Sequence, residues 1–347
     1  MNVIFDSHSP IYYNFKRTLG NRLVVGQRTL DPSAKVRVLL PQPIKMTQNN
    51  PKPHKLIMFS GKGGVGKTTS AAATALHHAT LGQQTLIIST DATPSLSHIF
   101  EIEDHKKLAE VRESLYMAEL GTEEVQEMWD RKFGKEVYAV FSAFVAIDYE
   151  DFVAFMTSLL PGLFDEFMVD YIREISLSDK YDVIIWDTAP LGQTLTLLET
   201  PSMLKEHLRM APRIYSRLKT GHNSRKPILE IIKRWQKLSS ENIVFLRNRV
   251  KFTMVTIPEA LAVKQLESVI CELDRYGIKV QQLIINNVVK AEGSTFLATK
   301  ANQQKKYLDA IHDKYQNLKL VEVLLFPYEI KGLERLSEVA RQLFPSH

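Results

Sequence analysis

The chain has 347 residues, of which 44% are hydrophobic and 24% are charged, as in a folded globular protein with one large or two ordinary domains. No apolar run of about 18 residues and no apolar signal-peptide core are present, so we exclude a transmembrane helix and expect a cytoplasmic protein. A single cysteine, Cys271, excludes an intrachain disulfide and a cysteine-only metal site, and its apolar neighbours predict a buried helical thiol.

The positive charge is concentrated at the start of the chain. Residues 1–53 carry eight of the 44 basic and two of the 39 acidic side chains, whereas residues 54–347 carry 36 and 37. The basic extension contains no motif, and it is either a flexible or partly strand-forming segment or a region upstream of a true start near Met46. Because the remaining body is nearly neutral, we expect no nucleic-acid partner.

A glycine-rich segment follows the first apolar run. Leu56–Phe59 predicts a buried strand, residues 61–68 fit the pattern G-x-x-x-x-G-K-[ST], and Ser70–Leu81 predicts a helix. In such a loop, backbone N–H groups at a helix N-terminus converge on phosphate oxygens, so a nucleotide is expected here. The predicted binding residues are Gly61, Lys62, Gly63, Gly64, Val65, Gly66, Lys67, Thr68 and Thr69.

Within this loop, Lys67 is expected to reach the β- and γ-phosphates and Thr68 to ligate Mg²⁺. Asp91 follows the predicted strand Gln84–Ser89, and Asp187 ends the apolar run that begins at Tyr181. We predict that Asp91 orients the attacking water, with a strand-end cap as the alternative. Asp187 has the position of a Walker B aspartate and is expected to reach Mg²⁺ through water.

Two long segments, residues 98–180 and 198–245, are predicted to be helical. Residues 151–171 carry more large apolar side chains than a single helix stripe needs, so this helix is either buried on two sides in a core or lines an apolar groove for helical clients. The groove candidates are Phe152, Phe155, Met156, Leu159, Leu160, Phe164, Phe167 and Met168.

The C-terminal part returns to strands and helices. Val250–Thr256 and Val280–Asn287 predict strands, and Pro258 begins a helix that continues to about Tyr276. The predicted fold is therefore α/β: a doubly wound, mainly parallel sheet of the P-loop NTPase type with an inserted α-helical subdomain. The expected organisation is the extension 1–53 followed by one ATPase domain, 54–347, whose helical subdomain comes from about 98–180 and 198–245.

Three motifs resemble a known group of ATPases. Gly61–Thr69, with its second lysine Lys62, resembles the deviant Walker A motif of the SIMIBI ATPases. Asp91–Leu96 and Asp187–Leu195 resemble switch I and switch II of the ArsA/Get family within that group. Residues 92–94 and Gln193 depart from the family pattern, which leaves their part in switch coupling open.

This resemblance implies further site residues. Lys62 would cross the interface of a homodimer to the partner's nucleotide, and Asn286 would hydrogen-bond adenine, with a turn asparagine as the alternative. Pro327 and Tyr328 belong to a segment that looks like the family's adenine-side loop. Residues 290–301 lack the Cys-x-x-Cys that binds zinc in the eukaryotic tail-anchored-protein targeting ATPases, so no zinc is expected.

From about Met46 to its end, the chain resembles the targeting ATPases without that zinc motif. The resemblance implies Mg²⁺-dependent ATP hydrolysis, with Asp91, Lys62 and Lys67 as catalytic residues, by a homodimeric chaperone of tail-anchored membrane proteins. Its partners would be a second copy, the apolar transmembrane helices of clients and a membrane receptor. The alternatives are the energising ATPase of an arsenite or anion pump, for which thiol ligands are missing, and a MinD/ParA-like positioning ATPase, for which a C-terminal membrane-targeting helix is missing.

Overall fold

A central β-sheet carries the apolar segments that the sequence predicts as strands. The computed structural model describes residues 55–91, 95–102, 108–142, 147–153, 163–178, 180–188, 194, 196–203, 205–206, 209 and 222–345, which all belong to one unit, Gln48–His347. The basic extension predicted for residues 1–53 lies outside these residues.

The described residues contain eight strands in one sheet, in the order β3-β4-β2-β5-β1-β6-β7-β8. Every neighbouring pair is parallel except β3 and β4, so the predicted doubly wound, mainly parallel α/β fold is confirmed. The strands are β1 (Lys55–Gly61), β2 (Thr85–Ser89), β3 (Ala109–Arg112), β4 (Leu115–Glu119), β5 (Val183–Asp187), β6 (Val250–Thr256), β7 (Val280–Val288) and β8 (Lys319–Leu324).

Helices cover both faces of this sheet. Strands β2 and β5 are buried along their whole length, as expected for central strands of a parallel sheet. The helices with defined bounds are α1 (Lys67–Thr80), α2 (Leu96–Phe100), α3 (Thr122–Trp129), α4 (Lys135–Phe141), α5 (Leu163–Leu177), α6 (His222–Asn248), α7 (Ala260–Arg275), α8 (Thr295–Lys314) and α9 (Gly332–Leu343). A π-helical turn, Asp130–Gly134, joins α3 to α4.

The two faces have different packing. Helices α1 and α9 pack together on one face, where the alanines of α1 allow close approach to the sheet and to Leu336 and Val339. The other face packs against α5, α6 and α7 in a larger cluster that includes Trp129 and Trp235. The nucleotide-binding motif predicted at the start of α1 therefore lies on the alanine-rich side of the sheet.

The helices of the larger cluster enclose three of the proposed groove residues. Phe152 and Met168 are 0% exposed and Phe167 is 3% exposed, and Phe152 packs against Trp129 with ring centroids 5.9 Å apart. These three side chains fill the core between helices and do not line an open groove, which agrees with the alternative interpretation of a helix buried on two sides. The groove candidates Phe155, Met156, Leu159 and Leu160, and the side chain of Phe164, lie outside the described residues.

Part of the segment predicted as helical is instead a β-hairpin. Strands β3 and β4 lie within residues 98–180, joined by a turn in which Ser114 has a positive φ of 62°. Strand β4 pairs in parallel with β2, and Leu115 and Met117 are buried. A five-residue apolar run carries too little periodicity to separate strand from helix, so the tertiary pairing decides. The edge strand β8 was likewise not predicted from the sequence.

Cys271 does not lie in the protein core. Cys271 on α7 is exposed, so the prediction of a buried thiol was wrong: it occupies the outward face of a helix whose inward face carries Leu266, Val269 and Leu273. None of the helices in the described ranges combines the length and the hydropathy that a membrane span requires.

Candidate active site

The glycine-rich loop joins the end of β1 to the start of α1. Gly64 and Gly66 have φ angles of 78° and 92°, a left-handed conformation that glycine adopts without strain. At the start of α1, the N–H of Ser70 donates to the carbonyl of Gly66 at 3.0 Å. At Gly61 an added Cβ would lie 2.3 Å from the carbonyl oxygen of Val255 on β6, so only glycine fits at the strand end. The backbone thus has the strand–loop–helix form expected of a phosphate-binding loop.

Lys67 lies at the first position of α1 and is 7% exposed. Its Nζ donates to the carbonyl of Lys62 across the loop at 3.4 Å, which holds the ammonium over the loop. Burial lowers the pKa of Lys67, whereas the carboxylates of Asp187 and Asp91 oppose this shift. The structure therefore brings the loop lysine and both predicted acidic residues into one electrostatic group.

Asp187 ends β5 with its carboxyl group fully buried. The hydroxyl of Thr68 donates to its Oδ2 at 2.8 Å, and its Oδ1 has no hydrogen-bond partner among the described residues. Burial raises the pKa of Asp187 to about 7, although the Thr68 hydroxyl and Lys67 act in the opposite direction. Hydroxyl and carboxylate oxygens are the donors that Mg²⁺ takes, and an ion-bound water would satisfy the orphaned Oδ1. These residues fit the predicted magnesium site.

Asp91 lies just beyond the end of β2, the strand that pairs Ser89 with Asp187 of β5. Its N–H donates to the Ser89 hydroxyl at 3.3 Å, and its side chain is partly exposed. Its charge influences the pKa of both Lys67 and Asp187. Asp91 is therefore placed beside the loop lysine, at the edge of the sheet where ligands of doubly wound folds bind.

A pocket of about 500 Å³ adjoins the loop and extends toward the C-terminal part of the chain. Of the predicted nucleotide-binding residues, Gly64, Gly66, Thr68, Thr69, Asn286 and Tyr328 line this pocket. Pro327 is exposed and is not among its lining residues. Four lining residues were not predicted from the sequence: Ser95 and Lys331, which precede α2 and α9, His98 within α2 and Asn287 near the end of β7. They meet only in the folded chain.

Asn286 packs directly on the glycine-rich loop. Its Nδ2 donates to the carbonyl of Val65 at 2.9 Å and lies 2.2 Å from where a Cβ on Gly66 would be. The next residue, Asn287, has a positive φ of 57°, which asparagine tolerates better than most residues. In this structure the Asn286 amide nitrogen donates to the loop backbone, and Asn286 also lines the pocket wall.

Two elements that follow the strands are tied back to the site. Glu119 at the end of β4 accepts the N–H groups of Ser95 and Leu96 at 2.7 and 2.8 Å, which anchors the start of α2. After β5, the Thr188 hydroxyl donates to the carbonyl of Phe59 at 2.7 Å, and the Thr194 hydroxyl donates to Thr188. Residues 92–94 and Gln193, which depart from the family pattern, lie outside the described residues.

Comparison with known proteins agrees with this geometry. The profile of the ArsA_ATPase family, described as anion-transporting ATPase, matches residues 54–345. A protein of Aquifex aeolicus (strain VF5), provisionally named arsenical pump-driving ATPase 2, is 29% identical over 83% of this chain and 99% of its own length. The ATPase GET3 of Kluyveromyces lactis is 31% identical over 84% of this chain and 89% of its own. The ATPase get3 of Neurospora crassa is 29% identical over 83% and 89%.

These matches confirm the predicted family and the predicted activity class. The family profile spans the sheet, the glycine-rich loop and both acidic strand ends. Membership in an ATPase family implies a nucleotide as the ligand of the loop. The chain belongs to the ArsA_ATPase family and is an ATPase.

Proposed function

We propose that this ATPase is a homodimeric chaperone that shields tail-anchored membrane proteins and delivers them to a membrane receptor. Two observations support the proposal: the switch motifs at Asp91 and Asp187 resemble those of the ArsA/Get family, which includes the targeting ATPases, and several similar proteins are named ATPase GET3. The family alone does not decide this, because related ATPases of similar identity carry a name that refers to arsenical pumps.

The observation that favours targeting over arsenite transport is the thiol content of the chain. Arsenite is a soft ligand that thiolates bind, and a single protomer has only Cys271 to offer. That thiol lies exposed on α7. A chain with one cysteine has no thiolate cluster of its own with which to sense arsenite.

For the hydrolysis step, we assign roles to the residues around the loop. The loop N–H groups and Lys67 would bind the phosphates of ATP, while Thr68 and Asp187 would hold Mg²⁺, Asp187 through water. Magnesium, when bound, neutralises charge on the phosphate oxygens. Asp91 orients the water that attacks the γ-phosphate, since it lies near Lys67 and at the ligand-binding edge of the sheet.

Lys62 has a separate role in this proposal. Its carbonyl accepts from Lys67 within the chain, and its side chain is only partly buried on the loop. We infer that the Lys62 ammonium crosses a two-fold interface to the partner's nucleotide, so that ATP closes the dimer. No zinc is proposed for this interface, because residues 290–301 contain no cysteine.

The client surface is assigned to the helical subdomain. We propose that this subdomain comes from residues 98–180 and 198–245 of the ATPase domain 54–347, apart from the β3–β4 hairpin. Because Phe152, Phe167 and Met168 are buried, contacts to a client helix fall to the remaining candidates, Phe155, Met156, Leu159, Leu160 and Phe164. Flexible methionine and phenylalanine side chains suit varied apolar helices.

Co-expression with a tail-anchored substrate tests the proposal. Soluble complexes that depend on the client's terminal apolar helix are expected, and a client whose terminal helix is replaced by a polar sequence is the control. The Asp91→Asn variant should retain more complex, because it holds ATP without turnover. Failure to recover complexes of the client with both the wild-type ATPase and the Asp91→Asn variant would contradict the proposal.

A second candidate is the energising subunit of an anion pump. The name of the Aquifex aeolicus relative favours it. Measurement of ATP hydrolysis with and without antimonite separates the two candidates: stimulation would support the pump subunit, and an unchanged rate would support targeting.

A further inference from the structure

A second pocket lies where the amino ends of the strands meet, opposite the end of the sheet that carries the nucleotide loop. It has a volume of about 210 Å³ and is lined by three lysines, Lys55, Lys251 and Lys319. Lys55 is the first residue of β1, Lys319 is the first residue of β8, and Lys251 is the second residue of β6. Because these strands are parallel, their amino ends meet at one edge, while the glycine-rich loop follows the carboxyl end of β1.

The strand register places the three lysines on the face of the sheet that α1 and α9 cover. Ile57 pairs with Lys251, Thr253 pairs with Gln282, and Gln282 pairs with Lys319. Paired residues of parallel strands share a face of the sheet, and Ile57 belongs to the cluster that packs under α1 and α9. The face of these strands that packs under α1 and α9 is therefore apolar toward the nucleotide site and cationic or polar at the amino ends of the strands, where Leu343 of α9 lines the pocket.

The three lysines have no acidic partner among the residues that the structure describes: no ion pair there involves Lys55, Lys251 or Lys319. Burial lowers the pKa of Lys55, and the charges of Lys251 and Lys319 lower it further. Three ammonium groups around one cavity repel each other, so a bound anion would be favoured by all three.

Lys55 is held in place by a neutral histidine. The Nδ1 of His78 is 2.7 Å from the Oε1 of Gln83, so Nδ1 carries the proton and donates. This leaves the His78 Nε2 to accept from the Lys55 ammonium at 3.3 Å. Burial lowers the pKa of His78 to about 4, which keeps the ring neutral near pH 7. The ammonium of Lys55 is thereby positioned on the pocket wall and keeps donor capacity for a ligand.

We propose that this lysine pocket binds a phosphate-type oxyanion, either inorganic phosphate or a small phosphomonoester, at a site separate from the nucleotide. None of the described residues that line the pocket is an arginine, so this part of its wall lacks the paired N–H groups that recognise a planar carboxylate. Lysines act as point charges and suit a tetrahedral anion with several charges. The inference does not depend on the proposed targeting function.

The test measures phosphate binding with the nucleotide loop filled. The full chain is saturated with Mg²⁺ and the non-hydrolysable analogue AMP-PNP, which covers the β- and γ-phosphate positions, and is titrated with inorganic phosphate in a calorimeter at constant ionic strength. Saturable binding is expected, and the Lys251→Gln/Lys319→Gln variant should bind about tenfold more weakly or worse. Both side chains are exposed, so the variant is expected to fold, and its denaturation midpoint verifies this.

A charge-matched control separates a site from general attraction. The Lys279→Gln/Lys290→Gln variant removes two exposed lysines outside the pocket and should bind phosphate as the wild type does. Absence of saturable binding to the wild type, or an equal loss in both double variants, would overturn the proposal. A parallel titration with glycerol 3-phosphate distinguishes the two ligands. An affinity equal to or higher than that for inorganic phosphate indicates that the pocket accepts a phosphomonoester, and a lower affinity indicates that it selects the free anion.

Discussion

Gly66 shows how one residue connects backbone conformation with the binding pocket. Its φ of 92° is left-handed, and a Cβ there would lie 2.2 Å from the Asn286 amide nitrogen. We predict that Gly66→Ala lowers the free energy of unfolding by about 1–3 kcal/mol, because the backbone becomes strained and Asn286 must move. Chemical denaturation of the nucleotide-free protein measures this change.

Gly63 offers a matched control in the same loop. An added Cβ at Gly63 meets nothing within 4 Å, and its φ is not positive. Gly63→Ala should therefore leave the free energy of unfolding of the nucleotide-free protein unchanged. An equal loss of stability in both variants would show that conformation at Gly66 is not the cause.

Replacement of Asp91 should separate nucleotide binding from hydrolysis. Asp91→Asn keeps the size of the side chain but removes the charge that, in the proposed mechanism, orients the attacking water near Lys67. ATP binding should be retained, while the hydrolysis rate should fall by about 10²- to 10⁴-fold. Rapid phosphate-release assays and equilibrium ATP binding measure the two properties. Asp309→Asn, at an exposed position on α8, is the control, and unchanged turnover in Asp91→Asn would assign the water to another group.

Residue patterns pointed to the centre of the site but to only part of its wall. The loop, Asp91 and Asp187 were identified because each follows an apolar strand, and parallel strands bring their ends together. Glu119 was not identified, because its two hydrogen bonds to the start of α2 depend on β4 lying beside β2. Ser95, His98 and Asn287 line the pocket through tertiary placement alone, which no local spacing encodes.

Among the secondary-structure elements, apolar runs bounded by turn residues were more informative than runs broken by charged residues. Strands β1, β2 and β5 were predicted because their buried runs are bounded by turn residues. The hairpin β3–β4 was missed, since its alternation is interrupted by charged residues and its stability comes from pairing with β2. For helix α5, the sequence showed more large apolar side chains than one helix face needs. Burial of this helix on two sides in the helical cluster explains them.

The helical cluster also encloses an unusual buried acid. Glu166 on α5 is 0% exposed, and the Asn242 amide of α6 donates to its Oε1 at 3.0 Å. Its Oε2 has no partner among the described residues. Burial raises the pKa of Glu166 to about 7, against the hydrogen bond from Asn242. Asn242 in turn accepts from Arg173 at 2.9 Å, so the acid belongs to a polar network between α5 and α6.

This acid makes the stability of the folded chain depend on pH. The unfolded chain releases the Glu166 proton near pH 4.5, whereas the folded chain retains it to about pH 7. The stability contributed by the protonated form is therefore present below pH 4.5 and is lost as the pH rises to 7, by about 3 kcal/mol. We predict that Glu166→Gln removes this component and stabilises the protein above pH 7.

Denaturation midpoints of the wild type and Glu166→Gln from pH 4.5 to 8 test this prediction. The difference between the two curves should widen with pH and then level off above pH 7. Glu230→Gln, an exposed position on α6, should follow the wild type at every pH. Parallel curves for the wild type and Glu166→Gln would show that this carboxyl is not the group that titrates.

For the whole molecule, the sheet order explains why the site is assembled at β1. Strand β1 lies between β5 and β6, and the chain leaves it toward β2 on one side before returning to β6 on the other. The crevice at such a reversal receives ligands in doubly wound folds. The loop, Asp91 and Asp187 all lie at this edge, while the lysine pocket lies at the other. The two sites are therefore connected through the strands and through helices α1 and α9, each of which contributes lining residues to both pockets.

The proposed dimer adds a residue to this site from a second copy. If Lys62 acts across the interface, each composite site needs Lys67 from its own chain and Lys62 from the partner. Lys62→Ala and Lys67→Ala should each lack hydrolysis alone. In a mixed dimer, however, the Lys62→Ala chain keeps Lys67 and receives an intact Lys62 from the Lys67→Ala chain. Random mixing should therefore restore about a quarter of the wild-type rate, because half of the dimers are mixed and one of their two sites is complete.

Mixing the two variants with different affinity tags measures this restoration directly. Sequential purification on both tags isolates mixed dimers, and their ATP hydrolysis should reach about half of the wild-type rate per dimer, because one site of two is complete. If Lys62 acted within its own chain, the mixed dimer would contain no complete site, since one chain lacks Lys62 and the other lacks Lys67. Isolated mixed dimers without activity would therefore place Lys62 beside its own nucleotide, and recovery of no mixed dimers would contradict the homodimer itself.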